Sequence, residues 1–223
     1  MIPNMIVPVL NRYDLLQRLL DSIDFPVGDL LIIDNGGQVQ ELRFPDYVLN
    51  SHILPLPSNL GVAASWNLGF KLFPHHHKWL FASNDAWFGP GALQRFCDAR
   101  RDEIVLSGHF PFWQVFSVGD EALRRVGLFD EALTPAYFED KDAERRAKHF
   151  GVPIRKLDVV IGHDNSSTIN SDPRLSSLNN KTFLANREYY DEKVAREDYG
   201  PGGWDLDRRR ANSWDAQTLR PVE

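Results

Sequence analysis

The sequence predicts an α/β protein whose mixed, mainly parallel β-sheet is flanked by helices. Two observations support this fold class. Short apolar runs typical of buried strands alternate with stretches whose leucines recur at helical spacing, and turn sequences such as Asp34-Asn35-Gly36-Gly37 end the runs. Because parallel strands are joined through helices, this alternation favours a sheet covered on both faces. With 223 residues, the chain is long enough to bury one such core.

The first half of the chain carries three predicted strands and two helices before a fourth apolar run. The strands are expected at residues 5–9, 30–33 and 52–56, and the helices at 14–23 and about 63–72. Leucines at 15, 16, 19 and 20 give the first helix its apolar stripe. The third strand is expected near an edge, because Pro55 cannot donate to a ladder. The fourth run, residues 79–82, is typical of a buried strand.

The second half is less regular. Strands are predicted at residues 104–107, 115–118 and 154–161, and helices at 121–126, 139–150 and 183–196. Polar residues 164–180 favour a mobile loop, and the tail from residue 200 has too few apolar residues for a core of its own. We therefore expect a domain over residues 1–170 and a C-terminal helical extension over 171–223, in which a loop, a helix and a tail pack on the same domain.

Composition excludes several classes of protein. The net charge of -6 argues against a general nucleic-acid binder, and the arginines at 208–210 form too short a run to reverse this. Cys97 is the only cysteine, so neither an intrachain disulfide nor a thiolate zinc cluster can form. No apolar run approaches the ~20 residues of a transmembrane helix, and the first residues lack signal-peptide character. We therefore expect a cytoplasmic protein, with peripheral contact at a membrane surface left open.

Asp85 follows the fourth apolar run, in the turn Ser83-Asn84-Asp85. A carboxylate at the carboxyl end of a central strand lies where open α/β sheets bind ligands, and this position suits a residue that holds a metal ion and a phosphate. A turn aspartate that accepts hydrogen bonds from backbone amides explains the same residue equally well. This segment alone does not decide between the two interpretations.

Several short motifs occur in a fixed order along the chain. They are Pro8-Val9-Leu10-Asn11-Arg12, Leu31-Ile32-Ile33-Asp34-Asn35-Gly36, Asn59-Leu60-Gly61, Asn84-Asp85, Gly127-Leu128-Phe129-Asp130-Glu131 and Glu139-Asp140-Lys141-Asp142. Together they resemble the inverting GT-A glycosyltransferases of the family 2 type, in particular the rhamnosyltransferase-like branch. The resemblance covers residues 6–163, with a weaker echo at 186–190 and 200–204. It implies a GT-A fold, which is a Rossmann-like mixed sheet flanked by helices.

The resemblance also implies a site for a nucleotide diphosphate sugar. Contacts to the base and ribose fall on Pro8, Asn11, Arg12 and Asp34. The remaining donor-binding residues are Asn59, Gly61, Ala64, Asn67 and Asn84. Backbone near Gly61 and Ala64 can approach a ligand because side chains there are absent or small, and a helix N-terminus nearby favours negative charge. A turn glycine and a solvated helix residue are the structural alternatives for Gly61 and Asn67.

By the same resemblance, Asp85 is the metal-binding aspartate, and His163 completes the metal shell or contacts the diphosphate. The implied cofactor is a divalent cation, manganese or magnesium, which prefers oxygen ligands and can bridge two phosphates. The sequence departs from the fuller acidic motif, because Asn84 precedes Asp85 and Ala86 follows it. A loop histidine without a ligand is the alternative for His163.

An inverting transfer needs a base that takes the proton of the acceptor hydroxyl. Asp140 is the predicted base, with Glu139 as the second choice. Adjacent carboxylates at a helix start could instead be partners of the helix dipole. Trp113 and Tyr137 are candidates for acceptor contacts, because aromatic faces stack on sugar rings, although large aromatic residues are more often core.

The sequence thus predicts a metal-dependent inverting glycosyltransferase, a hexosyl- or deoxyhexosyltransferase. Its partners would be a nucleotide diphosphate sugar donor and an acceptor that is a glycan, a lipid-linked saccharide, a small molecule or a protein. One alternative is a catalytically silent module that binds sugar nucleotides, which the reduced acidic turn motivates. The other is a sugar nucleotidyltransferase, although residues 8–12 lack the glycine-rich phosphate loop of such enzymes.

Overall fold

A computed structural model describes residues 1–108, 110–164 and 173–212, with only the backbone described at 174 and 175. Its main feature is a seven-stranded sheet with the order β3-β2-β1-β4-β7-β6-β8. The strands are β1 (Ile2–Val9), β2 (Val27–Asp34), β3 (Val48–Pro55), β4 (Lys78–Ala82), β6 (Ile104–Ser107), β7 (Val115–Gly119) and β8 (Ile154–Leu157). A two-stranded ribbon pairs β5 (Ala86–Phe88) with β9 (Ile161–His163).

Strand directions confirm the predicted mixed, mainly parallel sheet. The four strands β3, β2, β1 and β4 run parallel, and β8 is parallel to β6. Only β7 is antiparallel to its neighbours β4 and β6. The carboxyl ends of the parallel strands β1, β2 and β4 therefore meet at one edge, where the start of the antiparallel β7 joins them.

Six α-helices in the described ranges accompany the sheet: α1 (Tyr13–Asp21), α2 (Val62–Leu72), α3 (Asp120–Val126), α4 (Glu139–His149), α5 (Pro173–Ala195) and α6 (Leu206–Asn212). The leucine stripe of α1 packs in one core cluster, whereas apolar residues of α2, α3 and α4 belong to the second. Strand β1 contributes side chains to both clusters, since Met5 and Val7 belong to the first and Ile6 to the second. Among these helices, none has the length and apolar character required to cross a bilayer.

Two sequence predictions for the second half are wrong. The apolar run at 154–161 is not one strand, because β8 ends at Leu157 to pair with β6 and β9 begins at Ile161 to pair with β5. Between them the chain turns outward, leaving Val160 70% exposed. The predicted loop at 164–180 is helical from Pro173, a residue well suited to a first helical turn. The rest of that loop, residues 165–172, lies outside the described residues.

Candidate functional site

A cleft of about 310 Å³ opens at the edge of the sheet where β1 and β4 end and α4 begins. Sequence-predicted residues from five separate segments of the chain line it. They are Pro8, Asn84, Asp85, Trp113, Tyr137, Glu139, Asp140 and His163. The structure therefore brings the predicted metal residues and the predicted bases to one cleft.

A smaller cavity of about 170 Å³ adjoins the cleft on the side of β1 and α2. Pro8, Val62, Asn84 and Ala136 line both spaces, so the two adjoin each other. Asn59 and Gly61 line only the smaller cavity. Together the two spaces have room for a ligand with two distinct parts.

Asp85 and His163 meet through the short ribbon of β5 and β9. Ala86 lies opposite His163 in the ribbon, and Asp85 directly precedes that pair. The Asp85 Oδ1 lies 3.0 Å from the His163 Nε2. The Asp164 backbone amide also donates to the Asp85 carbonyl, at 3.1 Å. Backbone pairing thus fixes the position of both side chains at the cleft.

This pair fits a hard divalent cation that shares its shell with a ligand. Within the described ranges, no group of three or more His, Cys, Asp or Glu residues is arranged to hold a metal ion. Two protein ligands suffice when substrate phosphates and water fill the other positions. Adjacent ligands of an octahedral ion with bonds of about 2.1 Å lie about 3 Å apart, which matches the observed Asp85–His163 separation of 3.0 Å.

Glu139 and Asp140 begin α4 and line the same cleft. The two preceding residues, Tyr137 and Phe138, have left-handed backbone angles, with φ of 78° and 73°. Such angles are costly for large non-glycine residues and cluster at functional sites. The strained turn aims the first residues of α4 into the cleft. No local sequence pattern predicts this turn.

The surroundings of the two carboxyls change their acidity. Burial raises the pKa of Glu139 well above its usual range, and the neighbouring Asp140 charge raises it further. Burial is also the main reason why the pKa of Asp140 is raised, although Asp140 keeps partial access to solvent. Among the described residues, Glu139 Oε2 has no hydrogen-bond partner. A carboxylate with a raised pKa is a stronger base, which is what proton removal from a hydroxyl requires.

Comparison with known proteins identifies the fold. No protein-family model matches the chain, and no curated protein is similar to it in sequence. Among solved structures, GalNAc-T7 with UDP, GalNAc and Mn²⁺ matches with a TM-score of 0.55 and 9% identity, over 73% of this chain and 44% of that one. S. aureus TarS 1-349 in complex with UDP-GlcNAc matches with a TM-score of 0.53 and 16% identity, over 70% and 56%. The chain has the GT-A fold.

A third GT-A structure supports this assignment. The catalytic domain of Drosophila β1,4-galactosyltransferase 7 in complex with xylobiose matches with a TM-score of 0.52 and 12% identity, over 73% of this chain and 70% of that chain. The chain covers 35% of one TarS structure and 58% of a shorter one. Because identities this low establish the fold alone, the rhamnosyltransferase-like branch stays a hypothesis.

Four predicted donor residues connect the loops around the cleft and the smaller cavity. The Asn84 Nδ2 donates to the Asn11 carbonyl at 3.1 Å, which ties the turn after β4 to the loop after β1. The Asn59 Oδ1 accepts from the Gly61 amide at 2.8 Å. Gly61 has a φ of 83°, and a Cβ there would lie 2.7 Å from the Pro135 carbonyl oxygen. Close packing of the two loops therefore requires glycine at position 61, and the same residue lines the smaller cavity.

Two other predicted donor residues are buried and form hydrogen bonds within the protein. The Asp34 carboxylate is fully buried and accepts from the Tyr13 hydroxyl and the Val39 amide, at 2.8 and 2.7 Å. Asn67 is buried and exchanges two hydrogen bonds with the backbone of Phe129, both 2.9 Å long. Neither residue lines the cleft or the smaller cavity. Their hydrogen bonds organise the loop after β2 and anchor α2.

Arg12 and Ala64 also lie outside the lining of both spaces. Arg12 has a left-handed backbone and pairs with Asp14 at 2.8 Å, so its guanidinium turns back along α1. Ala64 is half-buried on the first turn of α2.

The two aromatic candidates for acceptor contacts, Trp113 and Tyr137, differ in burial and in the contacts of their rings. Trp113 lines the cleft, but it is only 7% exposed and its Nε1 donates to Glu144 at 2.7 Å, so the ring is fixed. Tyr137 also lines the cleft and is half-buried, with its ring packed against Phe183 of α5. Burial raises the pKa of Tyr137.

Sequence reasoning missed Gln114, a buried residue of the cleft. Its backbone carbonyl accepts from the Ser83 amide at 2.8 Å, which places it beside the Asp85 turn. Its position in the sequence could have identified it, because Gln114 directly precedes β7. The start of an antiparallel strand lies at the same edge of a sheet as the carboxyl ends of its parallel neighbours.

Helix α5 contacts α4 through a buried ionic network. The Lys193 ammonium lies 2.6 Å from Asp130 and 3.1 Å from Asp142, and all three side chains are fully buried. Arg146 pairs with the same Asp142 at 2.7 Å. Two cations thus balance two carboxylates, which is the condition under which buried charges are tolerated. The C-terminal extension therefore supports the helix that carries Glu139 and Asp140.

Proposed function

We propose that this protein is a metal-dependent, inverting glycosyltransferase that moves a sugar from a nucleotide diphosphate sugar to an acceptor hydroxyl. One observation carries the proposal: Asp85 and Asp140 line the same cleft, one beside a histidine and the other with a raised pKa. The first arrangement suits a cation that binds phosphate, and the second suits a base. A hexosyl or deoxyhexosyl donor and membership of the rhamnosyltransferase-like branch belong to the same proposal.

The donor would span the two adjoining spaces. We place the nucleotide in the smaller cavity, against Asn59 and Gly61, and the sugar in the larger cleft. The complexes of TarS with UDP-GlcNAc and of GalNAc-T7 with UDP, GalNAc and Mn²⁺ make a nucleotide ligand a natural choice for a GT-A cleft. The nucleophile would reach the sugar from the side of α4.

Asp85 and His163 would hold a manganese or magnesium ion. When bound, the cation neutralises negative charge on the diphosphate and stabilises it as the leaving group. Imidazole suits manganese better than magnesium, so we favour manganese. Arg18 restrains the Asp85 turn by donating to its carbonyl at 3.2 Å, which leaves the carboxylate facing the cleft.

Asp140 would remove the proton of the acceptor hydroxyl. As that proton moves to the carboxylate, the acceptor oxygen forms a bond to the anomeric carbon and the bond to the diphosphate breaks on the opposite face. Glu139 is the alternative base, but its deeper burial makes Asp140 the better choice. Trp113 and Tyr137 would contact an acceptor, which is a glycan, a lipid-linked saccharide, a small molecule or a protein.

A cytoplasmic location and a boundary near residue 170 belong to the same proposal. A catalytically silent module that binds sugar nucleotides is the second candidate, because the acidic turn carries a single carboxylate. Both candidates predict donor binding, and only the first predicts release of nucleoside diphosphate.

Thermal unfolding against a panel of nucleotide sugars, with and without Mn²⁺, tests the proposal first. A ligand held only by the folded state must raise the Tm. We expect a rise for at least one donor that is larger with Mn²⁺, followed by metal-dependent release of nucleoside diphosphate from that donor. Binding without release, with water and every acceptor class as nucleophile, would favour the silent module. No binding by any nucleotide sugar would contradict both.

A further inference from the structure

Arg209, on the short helix α6, connects two loops that are far apart in sequence. Its guanidinium donates to the Leu60 carbonyl at 2.5 Å, to the Thr134 Oγ1 at 2.7 Å and to the Asn59 carbonyl. One side chain from the C-terminal extension therefore binds the loop before α2 and the loop before α4 together.

The same two loops form the walls of the smaller cavity. Asn59 and Gly61 line it from one side, and Pro135 and Ala136 from the other. The loops also touch directly, since the Val62 amide donates to the Pro135 carbonyl at 2.7 Å. The shape of the cavity depends on this contact, which Arg209 reinforces from outside.

Helix α6 is itself well anchored. Arg208 donates to the Ala132 carbonyl at 2.9 Å and to Asn186 Oδ1 of α5 at 2.8 Å. The Arg208 guanidinium also lies 4.4 Å from the ring centroid of Tyr189. Arg209 therefore lies on a helix that is itself held in place by several contacts. A planar guanidinium can reach several acceptors at once, whereas a lysine ammonium at the same place could not match this fork.

We propose that Arg209 is a positioning residue that keeps the nucleotide cavity assembled, so that α6 is part of the donor site. This assignment of the cavity rests on the proposed function. Arg209 touches the loops and not the reacting atoms, so its loss should weaken donor binding more than it slows the chemical step.

The first test needs no ligand. In Arg209→Met, the Val62 amide should exchange with solvent at least about tenfold faster than in the unchanged protein, because the charged hydrogen bonds that hold the two loops together are lost. Arg187→Met is the matched control, since Arg187 is an exposed arginine of α5 that pairs with Asp191. Equal Val62 exchange in Arg209→Met and the control would overturn the proposal.

The second test measures donor binding. Arg209→Met should raise the KM for the donor by about tenfold while kcat changes less than twofold, and Arg209→Lys should recover part of the loss. An unchanged KM, or a loss confined to kcat, would contradict the positioning role. If Arg209→Met does not fold, Arg209→Lys carries both tests, with smaller changes in the same direction. If the unchanged protein binds no nucleotide sugar, the proposed function fails, and Val62 exchange still decides whether Arg209 joins the loops.

Discussion

The Asp85 carboxylate lies 3.0 Å from the His163 imidazole, although the two residues are far apart in the sequence. The β5–β9 ribbon creates this contact, because its register sets Ala86 opposite His163. A carboxylate and an imidazole at this separation can occupy neighbouring positions around one cation. Glu139 and Asp140 line the same cleft and have raised pKa values.

Asp85→Asn should remove the effect of Mn²⁺ on donor binding. The amide keeps the shape of the side chain but loses the charge that a hard cation requires. We expect titration calorimetry to show donor affinity in Mn²⁺ reduced by roughly 100-fold, to the level seen without metal. Asp191→Asn, at an exposed position on α5, is the control and should bind as the unchanged protein does. Full Mn²⁺-dependent affinity in Asp85→Asn would remove Asp85 from the metal site.

Asp140→Asn should abolish turnover and keep donor binding. Removal of a general base typically costs about 100- to 10,000-fold in rate, and the asparagine does not disturb the Asp85–His163 pair across the cleft. The measurement is kcat for nucleoside diphosphate release together with the dissociation constant of the donor. If Glu139→Gln lost more rate than Asp140→Asn, the base would be Glu139.

The rate should fall with pH at a higher value than for an ordinary aspartate. The base acts only when deprotonated, and burial raises the pKa of Asp140 above its usual 3.8. The value of kcat/KM should therefore be constant at high pH and decline as pH drops through the raised pKa. If kcat/KM stayed constant down to the usual pKa range of aspartate, the pKa of the base would not be raised. That result would contradict the effect of burial on Asp140.

Glu139→Gln should stabilise the protein, and more so at higher pH. A carboxyl whose pKa is raised on folding binds its proton more tightly in the folded state, so it lowers the free energy of unfolding once pH exceeds its unfolded value near 4.5. Glutamine removes that charge. We expect the Tm to rise by about 2–4 °C at pH 8, corresponding to roughly 1 kcal/mol, and by less at pH 4.

The control for this stability effect is Glu188→Gln, an equivalent change at an exposed position on α5. It should alter the Tm little at either pH. A Tm for Glu139→Gln that falls at pH 8 would mean that the carboxylate is stabilised by its surroundings, against the direction that burial imposes.

The sequence was sufficient for the sheet and for the residues that follow its strands. Alternating apolar runs predicted the mainly parallel core, and the position of Asp85 after a central strand led to the cleft. The adjacent carboxyl residues Glu139 and Asp140 led to the same cleft. These features depend on local pattern and on the rule that parallel strands end at one edge.

The remaining features depend on partners that no local pattern reveals. Asp34 and Asn67 look like donor residues in sequence, yet Tyr13 and Phe129 hold them inside the protein. Arg209 lies in an arginine run that composition alone explains as a solvated surface, but it connects the two walls of the smaller cavity. Such long-range hydrogen bonds arise only once the chain is packed.

The most direct test of the central claim follows the anomeric proton of the sugar by NMR. With the unchanged protein, Mn²⁺ and the donor found by thermal unfolding, the first sugar released to water or to an acceptor should have the opposite anomeric configuration to the donor. The signal should disappear when Mn²⁺ is chelated. A first product with the donor's own configuration, or release that continues without a divalent cation, would contradict a metal-dependent transfer with Asp140 as the base.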